Sequence, residues 1–173
     1  MQRIYHYVID LHGKLYLKDA YPKNIATSYK NERFLKYFYS QMTFNTLNES
    51  LNYPFMSLCG KEKNFIKSIE DKETPFVFTS ITDNLICGHY TSIAFNPNHL
   101  FYSHTTGKLY HKHPLVVPES FTHINQILRY PEFGVIDDHL ILSHFANTIL
   151  NNDIYPDQHT IKLNGIKYPL RVQ

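Results

Sequence analysis

Three polar residues in the stretch SLCGKEKNF, positions 57–65, could support nucleophilic chemistry: Cys59, Glu62 and Asn64. A cysteine nucleophile needs a base, usually a histidine, to raise its thiolate fraction, and a third polar group to orient that base. The candidate base is His111, in the stretch GKLYH at positions 107–111. The candidate catalytic residues are therefore Cys59, His111 and Glu62, with Asn64 as the alternative orienting group.

The same residues have a second interpretation, which we favour for the cysteine. A free cysteine is often buried like a small hydrophobic residue, Gly60 suits a turn, and an asparagine beside a turn commonly bonds to the backbone. Polar residues in the two stretches could still hold a ligand without reacting with it. The candidate ligand-binding residues are Asn64, Tyr110 and His111.

The HKH stretch, residues 111–113, would place two imidazoles on one face of a strand. A zinc site needs a third and usually a fourth ligand. Three residues elsewhere could supply them: His89, Cys87 and His104. The following Pro114 and the ordinary solvated strand argue against such a site. His139 and His144 lie five residues apart, so they do not share a helical face and are interpreted as one surface and one core histidine. We expect no metal site and no cofactor.

One predicted helix mixes basic and aromatic side chains that could bind phosphates and stack on bases. These residues are Lys30, Arg33, Lys36, Tyr37 and Tyr39. The formal charge of the chain is only +2 with histidines neutral, whereas dedicated nucleic-acid binders usually carry a strongly basic domain. We therefore interpret the helix as amphipathic, with tyrosines at the edge of the core, and do not favour nucleic acid as a partner.

The composition predicts a folded chain in a reducing compartment. A chain of 173 residues can bury roughly 70% of its unfolded surface, so it needs no disulfide or structural metal. The N-terminus has neither the apolar core of a signal peptide nor an Arg/Ser-rich import leader. No apolar run approaches the roughly 20 residues that span a bilayer. We expect a soluble cytoplasmic protein with no membrane span and with Cys59 and Cys87 both free.

The N-terminal half predicts a hairpin, a helix and a β-meander. RIYHYVID and KLYLKD flank Gly13, which suits a tight turn. Helical spacing follows over residues 24–41, and Asn31 could cap a shorter helix. Its apolar side contains Phe34, Leu35, Phe38 and Met42. Several short segments after the helix then predict antiparallel strands, of which PFVFTSI is apolar on both faces and suits a central position.

The remaining chain predicts an edge or linker, a second main helix and a last hairpin. PLVVP, residues 114–118, is bounded by prolines. Asp137 and Asp138 suit the positive end of a helix over DDHLILSHFANTIL, and Asn164-Gly165 predicts the turn of the hairpin. GKLY occurs twice, with a glycine turn before a strand each time. We interpret this as a repeated turn, with a duplicated subdomain as the alternative.

A family resemblance is carried by six pieces that follow one another in order: YVIDLHGKLYL, ERFLKYFYSQM, YPFMSLCG, CG-x-E-x-NF, PFVF and GKLYH. From about Tyr5 to His111 the chain resembles uncharacterised protein family 0598 (domain of unknown function 4505). That family occurs in bacteria and, in eukaryotes, as proteins associated with mitochondria. Without an import leader, this chain resembles the bacterial members. The resemblance implies no activity that could be carried over.

A second resemblance concerns only the order of the elements. A strand pair, a helix, a β-meander, another helix and a hairpin also follow one another in the bacterial domain of unknown function 1285, whose halves resemble pleckstrin-homology domains. Fold likeness does not imply function.

The expected fold is α+β, with one or more curved antiparallel sheets and two main helices. It forms either a single compact domain over residues 1–173 or two pleckstrin-homology-like subdomains divided near residues 90–115. We expect a non-catalytic binding or adaptor domain for an unknown protein or small ligand, because catalytic signatures are absent and aromatic residues are abundant. The alternatives are a Cys/His-dependent enzyme using Cys59 and His111 and, second, an RNA-associated protein.

Overall fold

The computed structural model describes residues 1–88, 91–141, 154–155, 160–163 and 166–173, and it confirms the mixed α+β fold. The strands are β1 (Arg3–Ile9), β2 (Leu15–Leu17), β3 (Met42–Phe44), β4 (Phe55–Cys59), β5 (Glu62–Ser68), β6 (Val77–Ile81), β7 (Asn84–Cys87), β8 (Thr91–Ala94), β9 (Leu100–Ser103), β10 (Lys108–Lys112), β11 (Phe133–Ile136), β12 (Ile154–Tyr155), β13 (Thr160–Leu163), β14 (Ile166–Pro169) and β15 (Arg171–Val172). The helices are α1 (Glu32–Ser40), α2 (Ile124–Ile127), α3 (Asp138–Leu140) and a short 3-10 helix (Pro97–His99).

The first sheet contains five strands in the order β2-β1-β5-β4-β3. Tight turns connect β1 to β2 and β4 to β5, and a glycine with positive φ lies in each, +76° at Gly13 and +60° at Gly60. β1 pairs with β5 in parallel, whereas the expected sheet was antiparallel throughout. Side chains alternate in the same way in both strand directions, and the sequence pattern therefore did not reveal this pairing.

The helix α1 confirms the predicted helix in a shorter form. Asn31 Oδ1 accepts a hydrogen bond from the Phe34 backbone N–H at 2.9 Å, which is the N-cap that the sequence suggested. Phe38 and Tyr39 are buried against the sheet. Met42 was expected on the helix, but it begins β3 and lies opposite Ser57 in the sheet. Pairing with β4 therefore replaces another helical turn at this position.

The second sheet has the order β15-β9-β10-β11-β6-β7-β8. Its hairpin pairs are antiparallel, whereas β11 pairs with β6, and β15 with β9, in parallel. The stretch PFVFTSI forms β6 between β11 and β7, and Phe78 in it is fully buried, which confirms the predicted central strand. The stretch PLVVP contains no strand, so it is a connection rather than a sheet edge.

The C-terminal elements are described in part. β13 and β14 pair antiparallel, which confirms the last hairpin, while its turn at Asn164-Gly165 lies outside the described residues. The helix α3 begins after Asp137, as predicted. Residues 142–150 of the predicted second main helix, including His144, also lie outside the described residues. No helix in the described part of the chain is long and apolar enough to cross a membrane.

Both sheets share one apolar core, whose largest fully buried side chains come from α1 and from both sheets. They include Phe38, Phe55, Phe78, Phe101 and Tyr110. The chain passes from the first sheet to the second between β5 and β6. Residues 90–115, where the sequence suggested a division between subdomains, therefore lie inside the second sheet. The core itself is continuous across that passage.

The two GKLY copies both form a turn followed by a strand, but their surroundings differ. Gly107 has a φ of +68°, close to that of Gly13. A Cβ at Gly13 would lie 2.7 Å from Thr79 Cγ2 of β6, whereas a Cβ at Gly107 would have no atom within 4 Å. The first turn therefore packs tightly on the second sheet, and the second turn does not.

We expect Gly13→Ala to destabilise the protein more than Gly107→Ala. Both changes place an L side chain in the left-handed backbone region, which costs about 1–2 kcal/mol of stability. Only Gly13→Ala adds an overpacking cost, about 1–3 kcal/mol, because the new Cβ meets the stiff Thr79 side chain. Urea unfolding of both variants measures the difference. Equal losses of unfolding free energy would show that the first turn is not packed on β6.

Candidate functional site

The stretch CGKE is the tight turn between β4 and β5. Cys59 pairs with Glu62 and Ser57 pairs with Asn64 across the hairpin. Gly60 supplies the positive φ that the first central position of a II′ turn requires. Directly paired residues of neighbouring strands project to the same side, and so do alternate residues along a strand. The side chains of Ser57, Cys59, Glu62 and Asn64 therefore share one face.

The parallel partner strand adds a tyrosine to this face, because Tyr5 of β1 lies opposite Asn64. We call Tyr5, Ser57, Cys59, Glu62 and Asn64 the motif face. Tyr5, Cys59 and Glu62 are half-buried, whereas Ser57 and Asn64 are fully buried. The face therefore combines accessible polar groups at its rim with buried polar groups beneath.

The buried serine joins the motif face to α1. Ser57 Oγ donates a hydrogen bond to the Phe38 carbonyl at 2.7 Å, near the end of the helix, where the same carbonyl also accepts from the Gln41 backbone N–H at 3.3 Å. Cys59 Sγ lies 3.3 Å from the same Ser57 Oγ. The thiol is therefore held at the junction between the helix end and the sheet.

Asn64 has one used and one unused polar atom. Its Nδ2 donates to the Ser57 carbonyl at 3.0 Å, which confirms the expected backbone contact. Its Oδ1 is buried and accepts no hydrogen bond. A buried acceptor without a partner is uncommon, because burial without a hydrogen bond costs roughly 1–3 kcal/mol. The motif face therefore contains one buried acceptor without a protein hydrogen bond.

Glu62 lies at the open edge of the motif face. Its Oε1 is 3.2 Å from Arg3 Nη2, and the exposed fractions of the two side chains are 24% and 64%. An ion pair this exposed contributes at most about 1 kcal/mol. The carboxylate is therefore positioned by Arg3 but stays available to a further hydrogen-bond donor.

Two further tyrosines lie beside the face, and sequence reasoning did not select them. The Tyr7 ring contacts Tyr29 edge-on at 5.6 Å and Phe38 at 5.1 Å. Burial raises the pKa of the Tyr7 hydroxyl well above its ordinary value, and a hydrogen bond with Tyr29 raises it further. The alternating aromatic residues of RIYHYVID marked this strand, but the contact with Tyr29 depends on tertiary packing.

His111 lies in the other sheet and has different partners. It is buried in β10, its Nδ1 is 2.7 Å from the Lys112 carbonyl, and its Nε2 accepts from the Asn96 N–H at 3.1 Å. Nε2 also lies 3.1 Å from the Asn96 carbonyl oxygen, so both ring nitrogens lie within hydrogen-bond distance of a backbone carbonyl. Burial lowers the pKa of His111. The ring nitrogens are thus engaged with backbone groups, and His111 makes no hydrogen bond with Cys59.

Tyr110 belongs to a buried polar network rather than to the motif face. Its hydroxyl donates to Glu73 Oε2 at 3.0 Å and lies 2.9 Å from Thr106 Oγ1. Lys108 Nζ contacts Glu73 Oε2 at 3.3 Å and Glu70 Oε2 at 2.6 Å. Burial raises the pKa of the Tyr110 hydroxyl. The structure therefore separates Tyr110 and His111 from Asn64, the third candidate ligand-binding residue.

The histidines considered as metal ligands also have separate surroundings. His113 is buried, its Nε2 donates to the Pro131 carbonyl at 2.8 Å, and its ring packs on Phe76 at 5.1 Å. His104 is exposed and its ring contacts Tyr102. Cys87 is buried, and His89 lies outside the described residues. Burial also lowers the pKa of His113.

The predicted basic and aromatic helix divides its two tyrosines. Tyr39 is buried, and its hydroxyl donates to the Gly13 carbonyl at 3.2 Å. Tyr37 is 51% exposed. One of the two aromatic rings is therefore committed to the core edge, as the amphipathic interpretation requires.

Comparison with protein families places the chain in a family whose function is not described. A model of the family described as Domain of unknown function (DUF4505) matches residues 1–129, a range that contains β1 to β10, α1 and the whole motif face. No solved structure gives a significant match to the chain.

The free energy of unfolding should fall as the pH decreases from about 7 to 5. His111 and His113 have folded-state pKa values below their ordinary 6.5, so the unfolded chain binds protons that the folded chain does not. The contribution of the two neutral histidines to the free energy of unfolding is complete above pH 6.5. It decreases as the pH falls toward the folded-state pKa values, by up to about 1.4 kcal/mol per pH unit for each histidine. Urea unfolding at several pH values measures the slope.

The matched variant is His113→Phe, which keeps an aromatic ring among its neighbours and removes one titrating group. Its pH dependence should be shallower than that of the unsubstituted chain. An unchanged slope would contradict the assignment of a neutral buried His113.

The two thiols should differ in reactivity. Cys87 is fully buried, and burial raises its pKa to about 12, whereas Cys59 is half-buried. Because the thiolate is the reactive form, iodoacetamide at pH 7.5 should label Cys59 in the native chain and Cys87 only after unfolding. Mass spectrometry of labelled peptides measures both rates, and fast native labelling of Cys87 would be the contrary result.

Proposed function

The chain belongs to the domain of unknown function 4505 family, and we propose that it is a non-catalytic binding domain that holds a small polar ligand at the motif face. The observation that carries this proposal is the convergence of the CG-x-E-x-N side chains on one face beside Tyr5. Hydrogen-bonding groups of several kinds converge there: a carboxylate, a thiol, a phenol and an amide with an unused acceptor.

A groove where β1 meets the end of β2 shares Tyr5 with the motif face and supports a small ligand. Tyr5 also lines a groove of about 440 Å³, formed with Ile4, His6 and residues 17–20. Pockets for small molecules typically have volumes of about 300–1,000 Å³ and a few convergent polar groups. Tyr5 belongs to both the groove and the motif face, whereas Ile4 and His6 alternate with it along β1 and project to the opposite face. Lys18 and Asp19 add both signs of charge to the groove wall.

The Cys/His enzyme is the weaker alternative. A base must reach the proton that it removes, within roughly 2.6–3.2 Å or through one water. The ring nitrogens of His111 are engaged with Lys112 and Asn96, and the polar neighbour of Cys59 is Ser57. These contacts argue against activation of Cys59 by His111.

The RNA hypothesis also has less support. Stacking needs accessible aromatic faces next to basic groups, and of the two tyrosines on α1 only Tyr37 is exposed, because Tyr39 is buried. The net charge of +2 adds little phosphate attraction. A cytoplasmic location and the likeness to pleckstrin-homology domains stay predictions that accompany the binding role.

Fragment screening by ¹H–¹⁵N NMR tests the proposal with a library of small polar compounds. We expect binding fragments to shift the amides of β1, β4 and β5. Glu62→Gln should weaken the binding of a fragment that bonds to the carboxylate about 10-fold or more, since a hydrogen bond to a charged group contributes about 1.5–3 kcal/mol. Tyr5→Phe should weaken the binding of a fragment that bonds to the neutral phenol about 2- to 10-fold, since such a bond contributes about 0.5–1.5 kcal/mol.

The matched controls are Lys63→Gln, next to Glu62 but directed to the opposite side of β5, and Tyr37→Phe, an exposed tyrosine on α1. Neither should change the affinity. Fragments that shift only other regions, or an equal response of all four variants, would refute a site at the motif face.

A further inference from the structure

Three potential metal ligands converge away from the motif face, at the junction of the two sheets. His12 Nδ1 lies 2.9 Å from Asp137 Oδ1, and the ring of His139 stacks on that of His12 with centroids 4.4 Å apart. One ligand atom from each of the three residues lies within 4.8 Å of the others. Far apart in sequence, His12 and the other two residues meet only in the fold.

The β1–β2 turn holds His12 in place. Asp10 Oδ1 accepts hydrogen bonds from the backbone N–H groups of His12 and Lys14, each at 2.9 Å, and Asp10 Oδ2 accepts from the Tyr16 hydroxyl at 3.1 Å. The next residue, Gly13, packs against β6 and accepts the hydrogen bond from Tyr39. His12 therefore projects from a turn that is bonded internally and anchored to the second sheet.

The end of β11 holds the other two residues. The Asp137 N–H donates to the Phe78 carbonyl at 3.0 Å, and its side chain is 7% exposed. Asp137 Oδ1 also accepts from the His139 backbone N–H at 3.2 Å, as the N-cap of α3. The carboxylate is therefore rigid, and the adjacent helix start determines the position of His139.

We propose that His12, Asp137 and His139 bind a divalent transition-metal ion, with water completing the coordination. Two imidazoles and one carboxylate are a ligand set typical of Zn²⁺ and of Fe²⁺, and three protein ligands leave a position open to exogenous molecules. The proposal departs from the sequence-based expectation of no metal site. It does not depend on the motif face.

Metal binding requires a modest local adjustment. Bonds to zinc are about 2.0–2.2 Å long, so the stacked rings must turn to direct their nitrogens at one point. Both histidines are exposed, and the side chain of His12 is 42% exposed, which leaves them room to turn and gives the ion a path from solvent. Coordination through His12 Nδ1 would take the place of its hydrogen bond to Asp137 Oδ1.

The test is calorimetric titration of the chelator-treated full chain with Zn²⁺, accompanied by the visible absorption spectrum with Co²⁺. We expect one ion per chain at this site and a rise in Tm on binding. His12→Gln and His139→Gln should each weaken this binding at least 10-fold and abolish the Co²⁺ spectrum of a coordinated ion. Both histidines are exposed, so these variants are expected to fold.

The matched control is His104→Gln, an exposed histidine far from this turn in the chain, because eleven histidines can bind Zn²⁺ weakly elsewhere. It should retain the affinity and the spectrum. Equal losses in all three variants, or unchanged binding in His12→Gln and His139→Gln, would overturn the proposal. The proposal would also be overturned if His12→Gln lowered the stability of the metal-free chain but left metal binding unchanged. That result would identify the contact between His12 and Asp137 as a structural hydrogen bond only.

Discussion

The parallel pairing of β1 with β5 runs over seven residues, from Arg3 opposite Glu62 to Ile9 opposite Ser68. It places the N-terminal strand inside the first sheet, between the edge strand β2 and the central strand β5. One end of this ladder positions Tyr5 and Arg3 beside the motif hairpin. At the other end, β1 continues into the turn that contains His12 and Gly13. Both candidate sites therefore depend on a single strand register, and a slip of one residue would turn every β1 side chain to the opposite face.

Aromatic burial stabilises this arrangement more than its polar contacts do. Complete burial of a large apolar side chain contributes about 1.5–3 kcal/mol, whereas a typical hydrogen bond contributes about 1 kcal/mol net. Phe38, Phe55 and Phe78 join α1 and the two sheets in one core. Polar groups within that core, such as His113 and Glu73, are held by specific partners, the Pro131 carbonyl and the Tyr110 hydroxyl. The apolar core therefore holds the two sheets together, and these buried polar groups fit within it because each makes a specific hydrogen bond.

The candidate site was predictable in its local part. A tight turn at Gly60 necessarily brings Cys59 and Glu62 to one face, since side-chain alternation around a hairpin follows from the chain itself. The sequence could not show whether this cysteine and His111 lie close together in space. His111 is hydrogen-bonded instead to Asn96, which lies in a loop between strands of the same sheet. Residue types suggested compatible chemistry, but only packing could show which groups meet.

Local signals in the sequence determined the cap of α1 at Asn31, the glycine turns, the central position of β6 and the last hairpin, because each depends on neighbouring residues. The direction of the β1–β5 pair, the transfer of Met42 from helix to strand and the meeting of His12 with Asp137 were decided by the tertiary structure. These features join segments distant in the chain, and their free energy comes from burying a common core. A pattern of alternating residues contains no information about which distant strand will cover it.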